Sequence, residues 1–153
     1  DYPTNKSAKE FFSLKTVAMY EPARNMDERR SSDCVICMDV LEHIFLADIP
    51  AVLRNIFSLG KKLIIINVAC YKADALLPNG ENAHVSVRPS NWWKGVIDLI
   101  SMEYPNINVL LFCSPSYFSS EIHTCWKSQD WHKQENFEVS FPERRTAGYD
   151  PKV

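Results

Sequence analysis

Residues 33–44, DCVICMDVLEHI, limit the possible folds of this chain more than any other segment. An apolar run at 34–38 is followed at once by acidic and imidazole side chains. Strands that are apolar on both faces are typical of parallel α/β sheets, which bind ligands at the carboxyl ends of their strands. The segment therefore predicts a buried strand that delivers Asp39, Glu42 and His43 to a ligand-binding edge.

The rest of the chain alternates between predicted helices and strands. Apolar residues recur at helical spacing over 49–59, and Gly60 is expected to stop that helix. The β-branched run at 63–68 predicts an interior parallel strand. Weaker patterns predict helices over 4–14 and 89–100, strands at 16–20 and 107–113, an antiparallel edge pair at 119–126 and 136–141, and a polar tail over 142–153.

This alternation predicts an α/β fold, a Rossmann-like doubly wound sheet in three layers. The chain has 153 residues, of which 46% are hydrophobic and 24% charged, so it is long enough to form one domain over 1–153 with a substantial core. The connection over 71–88 is unusually long and contains a Pro-Asn-Gly turn signal at 78–80. Loops of this length in compact domains are usually functional or disordered, and we interpret this one as functional.

Composition and charge limit the partners and the cellular compartment that the sequence predicts. A net charge of −2 and a pI of about 6.1 give no general electrostatic footprint for nucleic acid, although a local basic patch remains open. No apolar run has the length of a membrane span, and the amino terminus lacks a signal-peptide pattern. Three of the five cysteines fall in apolar runs, and alternation along a strand would point Cys34 and Cys37 to opposite faces. These features predict reduced thiols, a cytoplasmic location and no membrane partner; no pattern indicates an oligomeric state.

Two segments resemble class I S-adenosylmethionine-dependent methyltransferases. The run 33–44, the helix after it and GKKLIIINV at 60–68 are similar to strands four and five of that family. LPNGENAHVSVRPSNWWKGVID at 77–98 is similar to a segment of its bacterial and phage branch. The resemblance implies S-adenosylmethionine as the small-molecule cofactor, with Glu21 at its ribose hydroxyls and Asp39, Val40 and Leu41 along its crevice. It implies methyl transfer to an oxygen or nitrogen of a nucleic acid, a sugar or a small molecule.

The amino-terminal part of the sequence departs from that family. Its members begin with a strand and a glycine-rich turn, because only glycine lets the backbone approach the cofactor closely. No glycine precedes Gly60 here, and we expect the first strand to be truncated or missing. Two alternatives to the methyltransferase stay open: an inactive relative that serves as a binding or scaffolding subunit, and an enzyme that cleaves S-adenosylmethionine.

The same segments imply a metal site. Asp39, Glu42, His43 and the later His84 form a DxxEH…H pattern. This pattern resembles the ExxEH…H ligand set of magnesium-dependent 2′-O-methyltransferases that modify the 3′ ends of small RNAs. Carboxylate and imidazole donors would bind Mg²⁺ or Mn²⁺, with His43 and His84 as catalytic bases or ligands. Alternatively, the Glu-His pair lines the cofactor crevice or caps the following helix.

Substrate-binding candidates come from the long loop and the helix after it. Asn82 precedes His84 by two positions, so an extended loop would turn both side chains to the same side. Trp92 and Trp93 could stack on a base or on adenine, and Arg88 could meet a phosphate or carboxylate. More often one ring of such a pair lies in the core and the other is partly exposed.

Overall fold

The computed structural model describes Lys9, residues 13–123 and the backbone of 124–125 and 136–140. The chain, whose length predicts one domain, separates after Ser31 into two compact units. Most of the helix predicted at 4–14 and the whole of the tail predicted at 142–153 lie outside the described residues.

The first unit contains a small antiparallel hairpin. Strands β1 (Tyr20–Glu21) and β2 (Met26–Asp27) pair across a single 3-10 turn at Pro22–Arg24. Asn25 closes that turn in the left-handed conformation, with φ of 54°. The strand predicted over 16–20 is wrong, since only its last residue is paired.

The second unit is built on one mixed sheet. Its strand order follows the sequence, and the first three strands are parallel while the last two run antiparallel to their neighbours. This arrangement confirms the predicted α/β class and the antiparallel pair at the edge of the sheet. The strands are β3 (Ser32–Met38), β4 (Gly60–Ala69), β5 (Asn108–Ser116), β6 (Ser119–Cys125) and β7 (Asn136–Ser140).

Two helices connect the parallel strands and pack on the same face of the sheet. Helix α1 (Ile49–Leu59) buries Ile49, Leu53 and Phe57, which recur at four-residue spacing. Helix α2 (Ser90–Ser101) contacts α1 and buries Trp93 and Ile97. The described residues thus form two layers, and the third layer of the doubly wound fold remains a prediction.

Gly60 ends the first helix in a different way from the one expected. Its φ of −83° and ψ of 146° are extended, so it is the first residue of β4 and not a left-handed helix cap. A Cβ at Gly60 would lie 3.2 Å from the side chain of Ile64. The glycine is therefore favoured by close packing.

The burial of the parallel strands alternates from one face of the sheet to the other. Ile64, Ile66 and Val68 are fully buried beneath the helices, together with Val109 and Leu111 on the next strand. The opposite face is apolar and half-buried in the described structure; its residues include Ile36, Ile65, Leu110 and Phe112.

Parallel pairing brings the segments that follow β3 and β4 to one edge. The register pairs Met38 with Asn67, and the Asp39 amide donates to the Asn67 carbonyl at 3.1 Å. The chain after β3 and the long loop after β4 therefore start side by side, which places the predicted site residues in one region.

Candidate metal centre

A single 3-10 turn, Leu41–His43, presents the first two residues of the centre. Leu41 is fully buried in the core and fixes the turn to the body of the unit. Glu42 is also fully buried, whereas His43 is exposed. Asp39 enters the turn with a positive φ of 52°, a conformation that aspartate tolerates better than most residues. The chain thus bends sharply enough to place a carboxylate and an imidazole on neighbouring positions of the strand edge.

The long loop 71–88 is hydrogen-bonded to this turn at three points. Nδ1 of His43 donates to the Ala83 carbonyl at 2.8 Å. The Ser86 amide donates to the Glu42 carbonyl at 3.0 Å, and the Ser86 hydroxyl donates to the Ile44 carbonyl at 2.6 Å. Ser86 is fully buried, so its own two bonds are sheltered from water, whereas the bond from His43 is exposed. Sequence reasoning missed Ser86, because a lone serine in a loop gives no signal of such a role.

Glu42, His43 and His84 converge. One potential ligand atom from each side chain lies within 4.8 Å of the other two, and the imidazole rings meet edge-on with centroids 4.9 Å apart. This spacing makes the three side chains candidate ligands of a single cation. Among the described residues, this is the one group of three or more acidic, histidine or cysteine side chains with such spacing.

Both imidazoles are oriented by backbone carbonyls. His43 Nδ1 faces the Ala83 oxygen, and His84 Nδ1 faces the Tyr71 oxygen at 2.6 Å. A carbonyl oxygen can only accept, so Nδ1 is the protonated nitrogen in each ring and Nε2 keeps its lone pair in the neutral form. Metal-bound histidines commonly donate their other N–H to a carbonyl or carboxylate in this way.

The Glu42 carboxylate is buried and half-satisfied. Oε1 accepts a hydrogen bond from the Ala69 amide at 3.2 Å, while Oε2 is buried and has no hydrogen-bond partner among the described residues. Burial raises the pKa of Glu42 above its ordinary value, and the nearby Asp39 carboxylate adds to the rise. An unpartnered buried carboxylate oxygen is costly unless a cation or a proton neutralises it. The geometry of this residue fits a metal ligand.

Asp39 takes a different partner from the one that the sequence pattern implies. Its Oδ1 accepts a hydrogen bond from the side-chain amide of Asn67 at 2.5 Å. Asp39 does not belong to the group of potential ligands that contains Glu42. The positive φ at Asp39 turns the backbone at this position. The Asp39 carboxylate therefore bonds to Asn67, whereas the Glu42 carboxylate lies buried beside Ala69.

An aromatic pair lies beside His84. The Tyr71 ring is 5.7 Å from the His84 ring and 4.4 Å from the Tyr117 ring, centroid to centroid. Burial raises the pKa of Tyr71 to about 12, and the proximity of Tyr117, Asp39 and Glu42 contributes. Tyr71 therefore stays protonated and neutral near the carboxylates. Sequence reasoning missed Tyr117, which reaches this site from the turn between β5 and β6.

The remaining predicted site residues occupy varied positions. Val40 is exposed beside the turn, whereas the Leu41 side chain is buried, so Leu41 has its backbone alone to offer a cofactor. Glu21 lies in the first unit, where its carboxylate accepts a hydrogen bond from the Ala23 amide at 3.3 Å. The Asn82 side chain is hydrogen-bonded to the backbone of its own loop.

The tryptophan pair separates into a core ring and a rim ring. Trp93 is fully buried, so it has no face for a substrate, and its prediction as a substrate contact is corrected. Trp92 is half-buried and meets Trp93 edge-on at 4.9 Å. The Arg88 guanidinium lies 6.0 Å from the Trp92 ring centroid and donates to the Val87 carbonyl. Helical periodicity explains the split, since neighbouring positions on a helix face about 100° apart.

Comparison with protein-family models, curated proteins and solved structures finds no match to this chain. Within the described residues, no helix combines the length and the apolar character needed to cross a bilayer. A function is therefore proposed from the geometry of the centre together with the sequence resemblance.

The donor set defines what the centre can do chemically. One carboxylate oxygen and two neutral imidazole nitrogens suit a divalent cation such as Mn²⁺, Fe²⁺ or Zn²⁺. Three protein ligands leave positions for water or a substrate oxygen, as in catalytic rather than structural metal sites. In the absence of a cation, the imidazole Nε2 atoms are bases.

Proposed function

We propose that the protein is a divalent-metal-dependent methyltransferase that uses S-adenosylmethionine and an oxygen or nitrogen acceptor on a nucleic acid, a sugar or a small molecule. The observation that supports it most directly is the convergence of Glu42, His43 and His84 where ligands of α/β sheets bind. Its methyl-transfer component rests on the sequence resemblance of 33–44, 60–68 and 77–98. The doubly wound three-layer form of the sheet rests on the alternation of predicted helices and strands.

In this proposal, the chain's own residues hold and orient the reactants. The proposed ligand atoms are Glu42 Oε2 and Nε2 of His43 and His84. In each side chain the other polar atom, Oε1 or Nδ1, is hydrogen-bonded to the backbone and so orients the group. A divalent cation bound there would lower the pKa of an acceptor hydroxyl, which would lose its proton to solvent. The oxygen would then attack the methyl carbon as the carbon–sulfur bond breaks, and the demethylated cofactor would leave as a thioether. Tyr71 would line the acceptor site as a neutral phenol, because its pKa is raised and it adds no negative charge.

The imidazole pair favours Mn²⁺ over Mg²⁺ in this proposal. Mg²⁺ prefers oxygen donors and releases its water reluctantly, whereas imidazole suits the first-row transition metals. Of the two cations implied by the resemblance, Mn²⁺ therefore fits the nitrogen-rich set better.

A second candidate is a cofactor-free binding subunit that keeps the metal centre. The observation that favours it is the absence of any glycine before Gly60, because a glycine-rich turn normally contacts the cofactor. For either candidate we propose a reducing, cytoplasmic location, because Cys34, Cys37, Cys70 and Cys113 are free thiols.

Calorimetric titration tests the proposal. The wild-type protein is titrated first with MnCl₂ and MgCl₂, and then with S-adenosylmethionine and its demethylated product, with and without Mn²⁺. We expect Mn²⁺ to bind more tightly than Mg²⁺ and the cofactor to bind to the Mn²⁺-loaded protein. Binding of Mn²⁺ without the cofactor or its product would support the binding subunit, and failure of a folded protein to bind Mn²⁺ would refute the metal centre.

A matched pair of substitutions identifies the ligands. Glu42→Gln removes the buried carboxylate, and Glu81→Gln changes an exposed carboxylate of the long loop that hydrogen-bonds to Asn79. We expect Glu42→Gln to lower the Mn²⁺ affinity at least 100-fold, because an amide is a much poorer ligand than a carboxylate. Glu81→Gln should leave it unchanged, and an equal loss in both variants would contradict the assignment.

A further inference from the structure

Asn82 makes three hydrogen bonds to the backbone around it. Its Oδ1 accepts from the Ala73 amide at 3.0 Å and from the His84 amide at 3.0 Å. Its Nδ2 donates to the Ala73 carbonyl at 2.7 Å. The side chain thus fastens the start of the loop to the residue that holds the third ligand of the proposed centre.

The chemistry of these contacts requires an amide. Two N–H donors meet one atom of the side chain and a carbonyl acceptor meets the other, which fixes the orientation of the amide group. A carboxylate would place an oxygen against the Ala73 carbonyl, and an apolar side chain would leave the Ala73 and His84 amides without this acceptor. Asn82 is half-buried, so water replaces these bonds incompletely.

Asn82 connects two backbone segments, residues 71–73 and His84 itself, and both of them orient the His84 ring. Ala73 lies two residues after Tyr71, whose carbonyl oxygen accepts from Nδ1 of the His84 ring. The backbone of His84 is bonded directly to Asn82. One amide therefore fixes both the position of His84 and the carbonyl that sets its tautomer. A shift of either side would move the His84 ring relative to Glu42 and His43, whose potential ligand atoms lie within 4.8 Å of its own.

We infer that Asn82 is a positioning residue for the metal centre, acting through His84 and not through contact with a substrate. This inference rests on the proposed function, since it assumes that Glu42, His43 and His84 hold a cation. Groups that orient metal ligands commonly contribute 10-fold to 100-fold to metal affinity.

The same loop offers a matched control. Asn79 is exposed, and its side chain bonds to Glu81 alone among the described residues, with Nδ2 donating to the carboxylate at 3.0 Å and Oδ1 accepting from the amide at 3.1 Å. Asn79→Ala and Asn82→Ala therefore delete the same group from one loop, but only the latter removes a bond to His84.

The test measures Mn²⁺ affinity by calorimetry and the visible absorption of bound Co²⁺ in both variants and the wild type. We expect Asn82→Ala to bind Mn²⁺ about 10-fold to 100-fold more weakly and to shift or weaken the Co²⁺ bands, because the His84 ring is less well placed. Asn79→Ala should bind within about 2-fold of the wild type, with its spectrum. Equal affinities and spectra in the two variants would overturn the positioning role.

The wild-type titration distinguishes failure of the proposed metal centre from failure of the proposed role of Asn82. Mn²⁺ binding by the wild type with no difference between the variants leaves the centre in place and rejects the role of Asn82; no binding by the wild type rejects both. If Asn82→Ala does not fold, amide hydrogen exchange of the metal-free wild type replaces it. The Ala73 and His84 amides should then be protected relative to that of Lys72, and equal exchange would overturn the inference.

Discussion

The charged groups at the two ends of the parallel strands differ in their exposure to solvent and in their partners. At the amino end, Asp33 on β3 pairs with Lys62 on β4 at 3.0 Å, with 67% and 73% of the two side chains exposed. At the carboxyl end, Glu42 is fully buried and one of its oxygens has no partner among the described residues. Water solvates the first carboxylate, whereas the second is shielded from solvent by the protein.

We interpret the exposed Asp33–Lys62 pair as an ordinary surface contact and the buried Glu42 as part of the proposed binding site. Exposed ion pairs contribute little free energy and occur widely on protein surfaces. A buried carboxylate with an open oxygen is destabilising by itself, so its presence beside two oriented imidazoles points to a ligand. The strand edge that bears the destabilising charge is therefore the edge where we expect function.

The largest expected effect is the linkage between metal binding and stability. At a Mn²⁺ concentration of 100 times Kd, the wild type should gain about 2.7 kcal/mol in its free energy of unfolding. Asp33→Asn should keep that gain and Glu42→Gln should lose it, since only Glu42 is a proposed ligand. Urea unfolding monitored by circular dichroism, with Mn²⁺ and with EDTA, measures both. A gain of similar size in Glu42→Gln would remove the distinction between the two ends.

The thiols of β3 extend the comparison to reactivity. Cys34 near the amino end is exposed, while burial raises the pKa of Cys37 near the carboxyl end to about 12, with Glu42 and Asp39 contributing. Since the thiolate is the reactive form, Cys37 should react with iodoacetamide at pH 8 at least about 100-fold more slowly than Cys34. Peptide mass spectrometry resolves the two rates, which should become similar in urea. Comparable rates in the native protein would contradict the described burial.

The metal-free protein should be stabilised when the buried carboxylate is neutralised. Glu42→Gln should raise the free energy of unfolding at pH 7 in EDTA by about 1 kcal/mol. Because the folded pKa of Glu42 lies above its ordinary value of 4.5, its protonated form stabilises the native state below that pH, and this contribution is lost as pH rises through the folded pKa. The gain should therefore vanish below pH 4.5. A constant gain from pH 4 to pH 8 would show that charge is not its cause.

The smallest expected effect is at the exposed end. Asp33→Asn and Lys62→Gln should each change the free energy of unfolding by less than about 0.5 kcal/mol, because both side chains remain solvated without their partner. Guanidinium or urea unfolding in the same buffer measures the change. A loss above about 1 kcal/mol would mean that the pair is more than a surface contact.

Local patterns predicted the parts of the fold that are periodic. The apolar spacing of 49–59 matches helix α1 residue for residue, and the β-branched run at 63–68 lies within β4. The Pro-Asn-Gly signal is a turn, with Gly80 at φ of 84° and its amide bonded to the Leu77 carbonyl. In each case the physical cause is local, so a short window contains it.

Other features depend on contacts that a short window does not contain. The segment 16–20 has strand-forming residues, but one residue of it is paired, because pairing requires a partner as well as propensity. The sequence does not reveal that Asp39 bonds to Asn67 while Glu42 turns inward, since both follow the same strand. The role of Asn82 is equally hidden, because its partner Ala73 is identified by its backbone and not by its side chain.

The half-satisfied carboxylate also has a consequence for how the protein would exchange ions with its surroundings. Because burial raises the pKa of Glu42, more metal-free molecules hold a proton on this carboxyl group at a given pH than an ordinary glutamate would. Each such molecule must release that proton on loading, so acidification would compete directly with Mn²⁺ uptake. The heat of loading would then vary with the ionisation enthalpy of the buffer, and the slope of that variation would count the protons expelled.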